Sequence, residues 1–405
     1  MATRQGLTVS DRRILTLMAL AGLVLAYSGS LISHTFPFVR RGLSLTEGEM
    51  SWVFALTRFF ALGALLFSVY GDRFGRRRPF LVAFAIAPLG SLLTAFAPGA
   101  LTFTIFQAIT RIGVVAAAAL SIVFLAEELS PRLRGFGIGV AAIAGAVGNG
   151  ISLILLPIAD RGDSAWRFLF ALAAVGLLAL PVLMRFLKES RAFAVPEYHV
   201  PLSAVVQEGH GQYLYALGAV AFFVSAFATP ALDFALERMI DDLAWTTASA
   251  RNLLIVFSGL GTLGLLAGGR LADNLGRRPA ELVALALGLA GGLGFYFFDS
   301  GWLIGPSLFV GTFGATALTP AFAAQRSELF PTRLRATAGA WITNAAIIGS
   351  IFGFAVGGVL IDRIGLSSTV AVLGIGIVVA AFLVGPLPET RGRDLTSQVI
   401  SPRPS

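Results

Sequence analysis

The chain of 405 residues contains no cysteine, a single lysine and three histidines. Without cysteine, disulfides, thiolate catalysis and Cys-based zinc or iron–sulfur sites are excluded. Lys188 does not stand in a G-x-x-x-x-G-K-[ST] context, so the chain has no Walker-type phosphate loop. His34, His199 and His210 are too scattered to form a multi-histidine metal site. The sequence therefore predicts neither a cofactor nor a resident metal ion.

Charge is also scarce. Only 13% of the residues are charged, whereas a soluble domain carries roughly 25%. Hydrophobic residues make up 56% of the chain, with 33 phenylalanines and 46 glycines, and the mean hydropathy is +0.82. This composition leaves too little polar surface for a water-soluble fold and excludes disordered, collagen-like and coiled-coil chains. It predicts a polytopic protein whose main surroundings are a lipid bilayer.

Long apolar stretches divide the chain at short polar breaks. A stretch of about 20 apolar residues crosses a bilayer as a helix. Twelve such stretches predict an all-α membrane protein with twelve transmembrane helices. They lie near 14–35, 50–70, 80–97, 101–126, 136–159, 165–187, 212–236, 246–269, 280–298, 302–325, 337–361 and 367–386.

The basic residues are distributed unevenly about these stretches. Of the 30 lysines and arginines, 21 lie on the side of the N-terminus and 6 on the opposite side, with three inside the membrane. Positive charge stays on the cytoplasmic face, so we expect both termini in the cytoplasm of a bacterial inner (plasma) membrane. The N-terminus is too short to be a cleaved signal peptide. The net charge of +8 thus reflects topology and not a nucleic-acid partner; we expect a monomer.

Three motifs repeat at a nearly constant distance along the chain. Gly-Asp-Arg-Phe-Gly-Arg-Arg at 71–77 recurs as Ala-Asp-Asn-Leu-Gly-Arg-Arg at 272–278, and the motifs at 128–134 and 188–191 recur at 328–335 and 388–391. Two six-helix halves built on one pattern are typical of secondary transporters, whose substrate lies near the membrane midplane. The predicted domains are an N-terminal bundle, a cytoplasmic linker, a C-terminal bundle and a cytoplasmic tail, at 1–187, 188–211, 212–387 and 388–405.

These motifs carry a family resemblance. The chain resembles the major facilitator superfamily over all twelve helices, since the 2–3 and 8–9 loops are similar to its G-x-x-x-D-R-x-G-R-R signature. Ser68 replaces the first signature glycine, whereas Gly269 retains it. Glu-x-x-Pro-x-x-Arg-Gly after helix 4 and Pro-Glu-Thr-Arg-Gly at 388–392 resemble the sugar-porter, aromatic-acid and organic-ion branches. Helix 7 lacks the Gln-rich pattern of hexose carriers. The resemblance implies a transporter, not an enzyme.

The repeated loops supply candidate gate residues. Glycine there allows a positive φ, aspartate can cap a helix N-terminus, and arginine can fork onto a carboxylate. The alternative is a solvated loop whose exposed pairs contribute little. The expected pairs are Arg76 and Arg77 with Glu127 or Glu128, and Arg277 and Arg278 with Glu328. By resemblance these clusters close the cytoplasmic side. The full predicted gate is Asp72, Arg76, Arg77, Glu127, Glu128, Arg134, Asp273, Arg277, Arg278, Glu328, Arg335 and Glu389.

Polar stripes on helices 1, 4, 7 and 10 predict a water-accessible pathway, because these helices are equivalent in the repeat and by resemblance line the central cavity. Arg111 lies near the midplane of helix 4, where a guanidinium could anchor a carboxylate, or could have a structural role. Arg58 and Arg251 lie nearer the outer surface, where they could snorkel or act in transport. The other predicted substrate-binding residues are Gln107, Tyr27, Ser30, Thr229, Thr312, Thr316, Asn149 and Asn344.

Protons are the expected coupling ion. Asp233 is the first candidate carrier, because burial would favour its protonated form near neutral pH; a plain ion pair with Arg251 or Arg238 is the alternative. His34 could titrate near neutral pH at the outer end of helix 1. Glu237 is the third candidate, although we expect it in the outer loop.

Glycines concentrate on helices 5 and 11, at positions 145, 148 and 150 and at 349, 353, 357 and 358. Such faces predict close helix packing. The Gly-Pro pair that drug–proton antiporters of the superfamily carry in helix 5 is absent here, which disfavours drug efflux.

Four functions remain open from the sequence. The leading hypothesis is a proton-coupled symporter that imports a small organic anion or polar metabolite. An efflux antiporter would use a Phe-rich lining formed by Phe222, Phe223 and Phe227. An intramembrane enzyme would need Ser258 with His34, but the G-x-S-x-G turn is missing. A transport-dead sensor would keep the same fold.

Overall fold

The computed structural model describes residues 7–130, 133–190 and 201–392. Within these ranges the chain is mainly helical and forms no β-strand. The described residues divide into two compact units. The first unit contains 7–190 and the segment 246–251, and the second contains 201–245 and 252–392.

Six long helices build the first unit. Their N-termini follow local capping rules: Thr8 and Asp11 form a reciprocal capping box before the first helix, and Thr46 and Glu49 do the same before the second. The helices are α1 Val9–His34, α2 Glu47–Gly71, α3 Arg77–Thr94, α4 Ala100–Glu128, α5 Arg134–Ile154 and α6 Trp166–Phe186.

The second unit continues with six more helices, the first turn of α8 being assigned to the first unit. They are α7 Gly211–Asp233, α8 Thr247–Leu275, α9 Arg277–Phe297, α10 Gly301–Leu329, α11 Thr332–Ile364 and α12 Leu366–Val384. In the described part of the chain, eleven helical stretches are long and apolar enough to cross a membrane. The remaining helix, α3, begins with two arginines that lower its hydropathy. The predicted all-α, twelve-helix class is confirmed.

Glycine allows the first and fifth helices of each unit to touch through their backbones. A Cβ added at Gly148 of α5 would collide with the carbonyl oxygen of Leu23 on α1. A Cβ at Gly349 of α11 would collide in the same way with Phe222 on α7. The close packing predicted from the glycine faces is therefore confirmed, at equivalent positions of the repeat.

This packing gives a first testable prediction. Gly148→Ala should lower the melting temperature, because a backbone carbonyl cannot rotate away and overpacking costs about 1–3 kcal/mol. Gly150→Ala is the matched control on the same helix, since nothing lies within 4 Å of an added Cβ there. It should be neutral or stabilising, as alanine exceeds glycine in helix propensity by about 1 kcal/mol. Equal thermal shifts in the two variants would contradict the packing argument.

Candidate functional site

A glutamate caps the N-terminus of α3 in the first unit. Glu189, which follows α6, accepts hydrogen bonds from the backbone N–H groups of Arg76 at 2.7 Å and Arg77 at 3.1 Å. The preceding Gly75 has φ +101°, a backbone conformation that favours glycine, and an added Cβ would also crowd the Glu189 carboxylate. The positive φ expected for this loop is thus present, and an anion lies where the helix dipole favours one.

The second unit repeats this arrangement at α9. Glu389 accepts hydrogen bonds from the backbone N–H groups of Arg277 at 2.8 Å and Arg278 at 3.1 Å, and from those of Thr390 and Arg391. Burial raises the pKa of the Glu389 carboxyl, but these four N–H donors together outweigh it and hold the pKa below the ordinary value. The carboxylate is therefore the form that the fold favours.

The capping role predicted for the loop aspartates is wrong for the second unit. Asp273 lies near the C-terminal end of α8, and its Oδ1 accepts a bond from Arg277 Nη1 at 2.7 Å. Glu389 takes the capping position because the chain after α12 returns to the start of α9. The side chain of Asp72, the equivalent residue, lies outside the described part of the structure.

The Glu389 cap makes stability depend on acid pH. A carboxyl whose pKa is depressed in the folded state contributes stability above its unfolded pKa, and this contribution is lost as the pH falls through the folded value. The melting temperature should therefore fall on acidification below about pH 4.5, part of the loss being due to Glu389. Glu389→Gln should melt a few degrees lower at neutral pH and lose less on acidification. Parallel melting curves for both proteins across this range would contradict the assignment.

Side chains behind the second cap form a bonded cluster, here called the second latch: Asp273, Arg277, Glu328 and Thr390. The guanidinium of Arg277 forks onto Glu328, with Nη2 at 2.8 Å and Nε at 3.2 Å from the carboxylate oxygens. The Thr390 hydroxyl donates to the same carboxylate at 2.5 Å. The expected contact of Arg277 with Glu328 is present. Arg278 joins only through its backbone, and its side chain is exposed.

The first unit contains a corresponding cluster. Arg76 Nε lies 3.4 Å from Glu127 Oε1, as expected, and we call this pair the first latch. The side chain of Arg77 does not reach Glu127 or Glu128, which corrects the sequence expectation. Its Nε donates to the carbonyl of Leu187 at 2.7 Å and its Nη2 to that of Met184 at 2.6 Å. The last carbonyls of a helix have no partner within it, so they are ready acceptors for an arginine.

Two further gate candidates stabilise the bends after α4 and α10. Arg134 Nε lies 3.4 Å from the carbonyl oxygen of Leu129, and Arg335 Nη2 lies 3.5 Å from that of Phe330. These equivalent contacts hold both arginines to the bends, and neither arginine forms an ion pair with a described residue. Glu128 is half-buried.

Two arginines of the first unit line one cavity. Arg58 of α2 and Arg111 of α4 border a narrow cavity of about 10 Å³ together with Gln107, Thr57 and Thr110. We call it the arginine cavity. Only 7% of Arg58 is exposed, which disfavours the snorkelling alternative. The residue is instead held inside the unit.

Some of the lining of the arginine cavity is held by bonds within the unit. The buried amide of Gln107 donates to the Thr94 hydroxyl at 2.9 Å, which ties α4 to α3. The guanidinium carbon of Arg58 lies 5.9 Å from the ring centroid of Phe54, within cation–π range.

The polar stripe of α1 bonds with neighbouring helices of its own unit. The Tyr27 hydroxyl donates to the carbonyl of Leu169 on α6 at 2.9 Å. Ser30 Oγ lies 2.9 Å, and His34 Nδ1 2.7 Å, from the fully buried hydroxyl of Ser152 on α5. The stripe thus separates into a structural tyrosine and a serine–histidine chain.

The hydroxyls of the second unit also find local acceptors. Thr312 donates to carbonyls of its own helix, and Thr316 donates to Gly261 of α8 at 2.7 Å. Thr229 Oγ1 lies 3.3 Å from Ser225 Oγ on the same face of α7. Part of the predicted polar stripe therefore bonds within and between helices of this unit.

The two acidic residues near the end of α7 differ in burial. Asp233 is half-buried. Glu237 is fully buried, which corrects its expected place in the outer loop. Arg238 bonds Asp242 and Asp299 at 3.2 and 2.6 Å. These two exposed carboxylates, and not Asp233, are therefore its partners in the described structure.

The remaining predicted residues are Arg251, Asn149 and Asn344. Arg251, in the segment assigned to the first unit, donates through Nη1 to the carbonyl of Ile154 at 3.2 Å. Asn149 of α5 is exposed and Asn344 of α11 is half-buried.

Sequence reasoning missed four residues: Glu189, Glu281, Gln325 and Thr390. The repeat of 188–191 at 388–391 could have identified Glu189, since Glu389 was already a candidate. Glu281 stands as a carboxyl inside an apolar helix, which is itself a signal. Both Glu281 and Gln325 are fully buried.

Comparison with a family model and with known proteins gives concordant matches. The model of the Major Facilitator Superfamily matches residues 18–343 and, in a second match, 214–399. The gallate transporter of Pseudomonas putida is 26% identical over 368 residues, which cover 80% of each chain. The myo-inositol transporter 3C of Cryptococcus neoformans var. grubii is 28% identical over 181 residues, which cover 44% of this chain and 31% of that one. For such relatives, less than half of their own length is matched.

Among solved structures, the D-xylose-proton symporter is similar with a TM-score of 0.74 and 22% identity. The superposition covers 94% of this chain and 99% of the symporter. At this identity the likeness concerns the fold alone.

Proposed function

The chain belongs to the Major Facilitator Superfamily, and on this premise we propose that it is a secondary active transporter that imports a small organic anion together with protons. Alternating access would bring the substrate site to each side of the membrane in turn. We further propose that the protein acts as a monomer in a bacterial inner membrane, with both termini in the cytoplasm. Relatives named as transporters, one of them for gallate, support this function.

The arginine cavity is the observation that carries the anion proposal. A guanidinium binds a carboxylate through two parallel hydrogen bonds. Arg58 and Arg111 border the same cavity, whereas the hydroxyls of Thr57 and Thr110 donate to carbonyls of their own helices. Its volume of about 10 Å³ holds about one water molecule in this conformation, so a carboxylate would enter only as the helices open around the two arginines. Positive charge and small size together favour a compact anion.

Buried carboxyl groups support proton coupling. Ionisable side chains at membrane depth are costly and commonly mark proton or substrate pathways. Asp233, the last residue of α7, is half-buried, and Glu237, one turn further along the chain, is fully buried. In this proposal their protonation accompanies substrate binding, and the two latches hold the cytoplasmic ends of each bundle until the cycle releases them.

One observation favours a second candidate, efflux of amphipathic compounds. The second unit contains an apolar cavity of about 60 Å³ lined by Phe227, Phe295, Leu285 and Leu318. Its apolar lining is typical of pockets for drug-like molecules, although its volume is below their usual range.

A ligand panel on the purified protein separates the two candidates. Aromatic and aliphatic carboxylates, sugars, organic cations and lipophilic drugs would be compared by thermal unfolding. A ligand at 100 times its Kd stabilises the folded protein by about 2.7 kcal/mol. A shift with carboxylates supports the symporter; a shift with lipophilic cations alone supports efflux and overturns the anion proposal. Uptake that persists after an uncoupler collapses the pH gradient would overturn proton coupling.

A further inference from the structure

A carboxyl–amide pair is buried between α9 and α10 of the second unit. The amide of Gln325 places one of its polar atoms 3.0 Å from Oε1 and 3.2 Å from Oε2 of Glu281. Neither side chain is exposed at all. Among the described residues, no lysine, arginine or histidine nitrogen lies within ion-pair distance of Glu281. This is a buried titratable group that neither latch uses.

The internal repeat shows that the fold does not require a polar pair at this place. Subtracting the repeat distance from Glu281 and Gln325 leads to Phe80 and Phe124 of the first unit. Those two rings are fully buried and packed edge to face, with centroids 5.6 Å apart. Replacing such an apolar contact by a carboxyl and an amide lowers stability in general. The second unit therefore keeps the polar pair despite its cost.

The pairing with an amide has a chemical advantage over pairing with a cation. A side-chain amide has both N–H donors and a carbonyl acceptor. It can donate to a carboxylate or accept from the O–H of a protonated acid, so Glu281 remains hydrogen-bonded in both states. An arginine or lysine in place of Gln325 would stabilise only the carboxylate. The pair is thus suited to exchange a proton without leaving a buried group unsatisfied.

The charged groups around Glu281 belong mainly to the second latch. Arg277 lies one turn earlier on α9, and Glu328 lies one turn beyond Gln325 on α10. Glu389, whose charge acts on Glu281, caps the start of α9. Helix α12 contributes no charged residue, and the one on α7, Asp233, is at its far end. The other charged groups on α8, α9 and α10 are Asp273 and Arg270 near the latch end of α8, Arg251 at its far end, Arg278 on α9 and Arg326 on α10.

We propose that Glu281 and Gln325 form a proton-binding site of the second unit, one helical turn from the second latch. In the protonated state Glu281 is neutral and donates its O–H to the Gln325 carbonyl. On release, the O–H bond breaks, its electron pair stays on the carboxylate and the proton passes to cytoplasmic water. The new negative charge lies one turn from Arg277 and competes with Glu328 for it. This inference extends the proposed transport function. It rests on that function only in taking the bound proton to drive transport.

Infrared difference spectroscopy on the full-length protein in nanodiscs tests this site without any substrate. The carbonyl stretch of a protonated carboxylic acid absorbs at a higher frequency than the stretches of a carboxylate or an amide. We expect such a band at neutral pH, disappearing as the pH is raised, and its loss in Glu281→Gln. An unchanged pH-dependent band in Glu281→Gln would overturn the proposal.

A second pair of variants keeps the test independent of folding and of the transport function. The double variant Glu281→Phe with Gln325→Phe copies the aromatic pair of the first unit; it should fold and lack the band. Gln325→Leu should keep the band but change the pH at which it disappears, whereas a purely structural role leaves that pH unmoved and overturns the proposal. No ligand is added in this experiment, so the absence of the band would overturn the proton site without affecting the anion transport proposal. Conversely, a ligand panel in which no carboxylate shifts the melting temperature would not affect the proton site.

Discussion

Replacement of Glu328 by glutamine is expected to destabilise the protein by about 2 kcal/mol and to reduce transport by about tenfold. Glu328 accepts the fork of Arg277 and the hydroxyl of Thr390, and only 11% of its side chain is exposed. Glutamine offers one neutral oxygen in place of a carboxylate, so the Arg277 guanidinium loses its main partner. Removal of one member of a part-buried, hydrogen-bonded ion pair costs more than the pair itself contributes.

Asp273 provides the matched control for this prediction, because it bonds the same arginine from an exposed position. Its side chain is 74% exposed, and exposed ion pairs contribute little. Asp273→Asn should therefore change the unfolding free energy by less than about 0.5 kcal/mol. Thermal unfolding and proteoliposome uptake would be measured on both variants. If Asp273→Asn lowered stability and uptake as much as Glu328→Gln, the buried fork would not be the stabilising element of the second latch.

The second large effect is expected at the arginine cavity. Arg111→Gln should weaken binding of the carboxylate substrate about 100-fold, which corresponds to about 2.7 kcal/mol. The variant loses two charge-assisted hydrogen bonds in a site that is largely shielded from water. Arg111→Lys keeps the charge and loses the fork, so its affinity should be intermediate. Binding is read from the ligand-induced thermal shift in the purified protein.

Arg278→Gln is the reference for this series. Its side chain is exposed, and the substitution keeps the backbone N–H that bonds Glu389. It should bind carboxylates as the unmodified protein does. Affinity retained in Arg111→Gln, with folding intact, would assign Arg111 a structural role and remove the basis of the anion proposal.

Much of the fold is readable from the sequence because two simple signals agree. The bilayer requires apolar stretches of a fixed length, and the repeated loop motifs set the order of the helices. The glycine faces of α5 and α11 also predict backbone contact, which Gly148 and Gly349 make. These features depend on residue type and position along one helix, which a single sequence contains.

The partners of individual side chains were harder to predict. Arg77 bonds the carbonyls of Met184 and Leu187, and no residue type marks a free carbonyl at a helix end. The sequence placed Glu237 in a loop, whereas a short helix, Ala235–Glu237, follows α7 and buries this residue. Tyr27 shares a face with Ser30 yet bonds a different helix. Such choices depend on how neighbouring helices are arranged.

The position of Glu389 also determines where the chain can be shortened or fused. A chain ending after Leu387 would keep all twelve membrane helices but would lose both the carboxylate that caps α9 and the Thr390 hydroxyl on Glu328. A reporter domain joined after Gly392 leaves these contacts in place. The second unit therefore needs residues that follow its last membrane helix, namely Glu389 and Thr390.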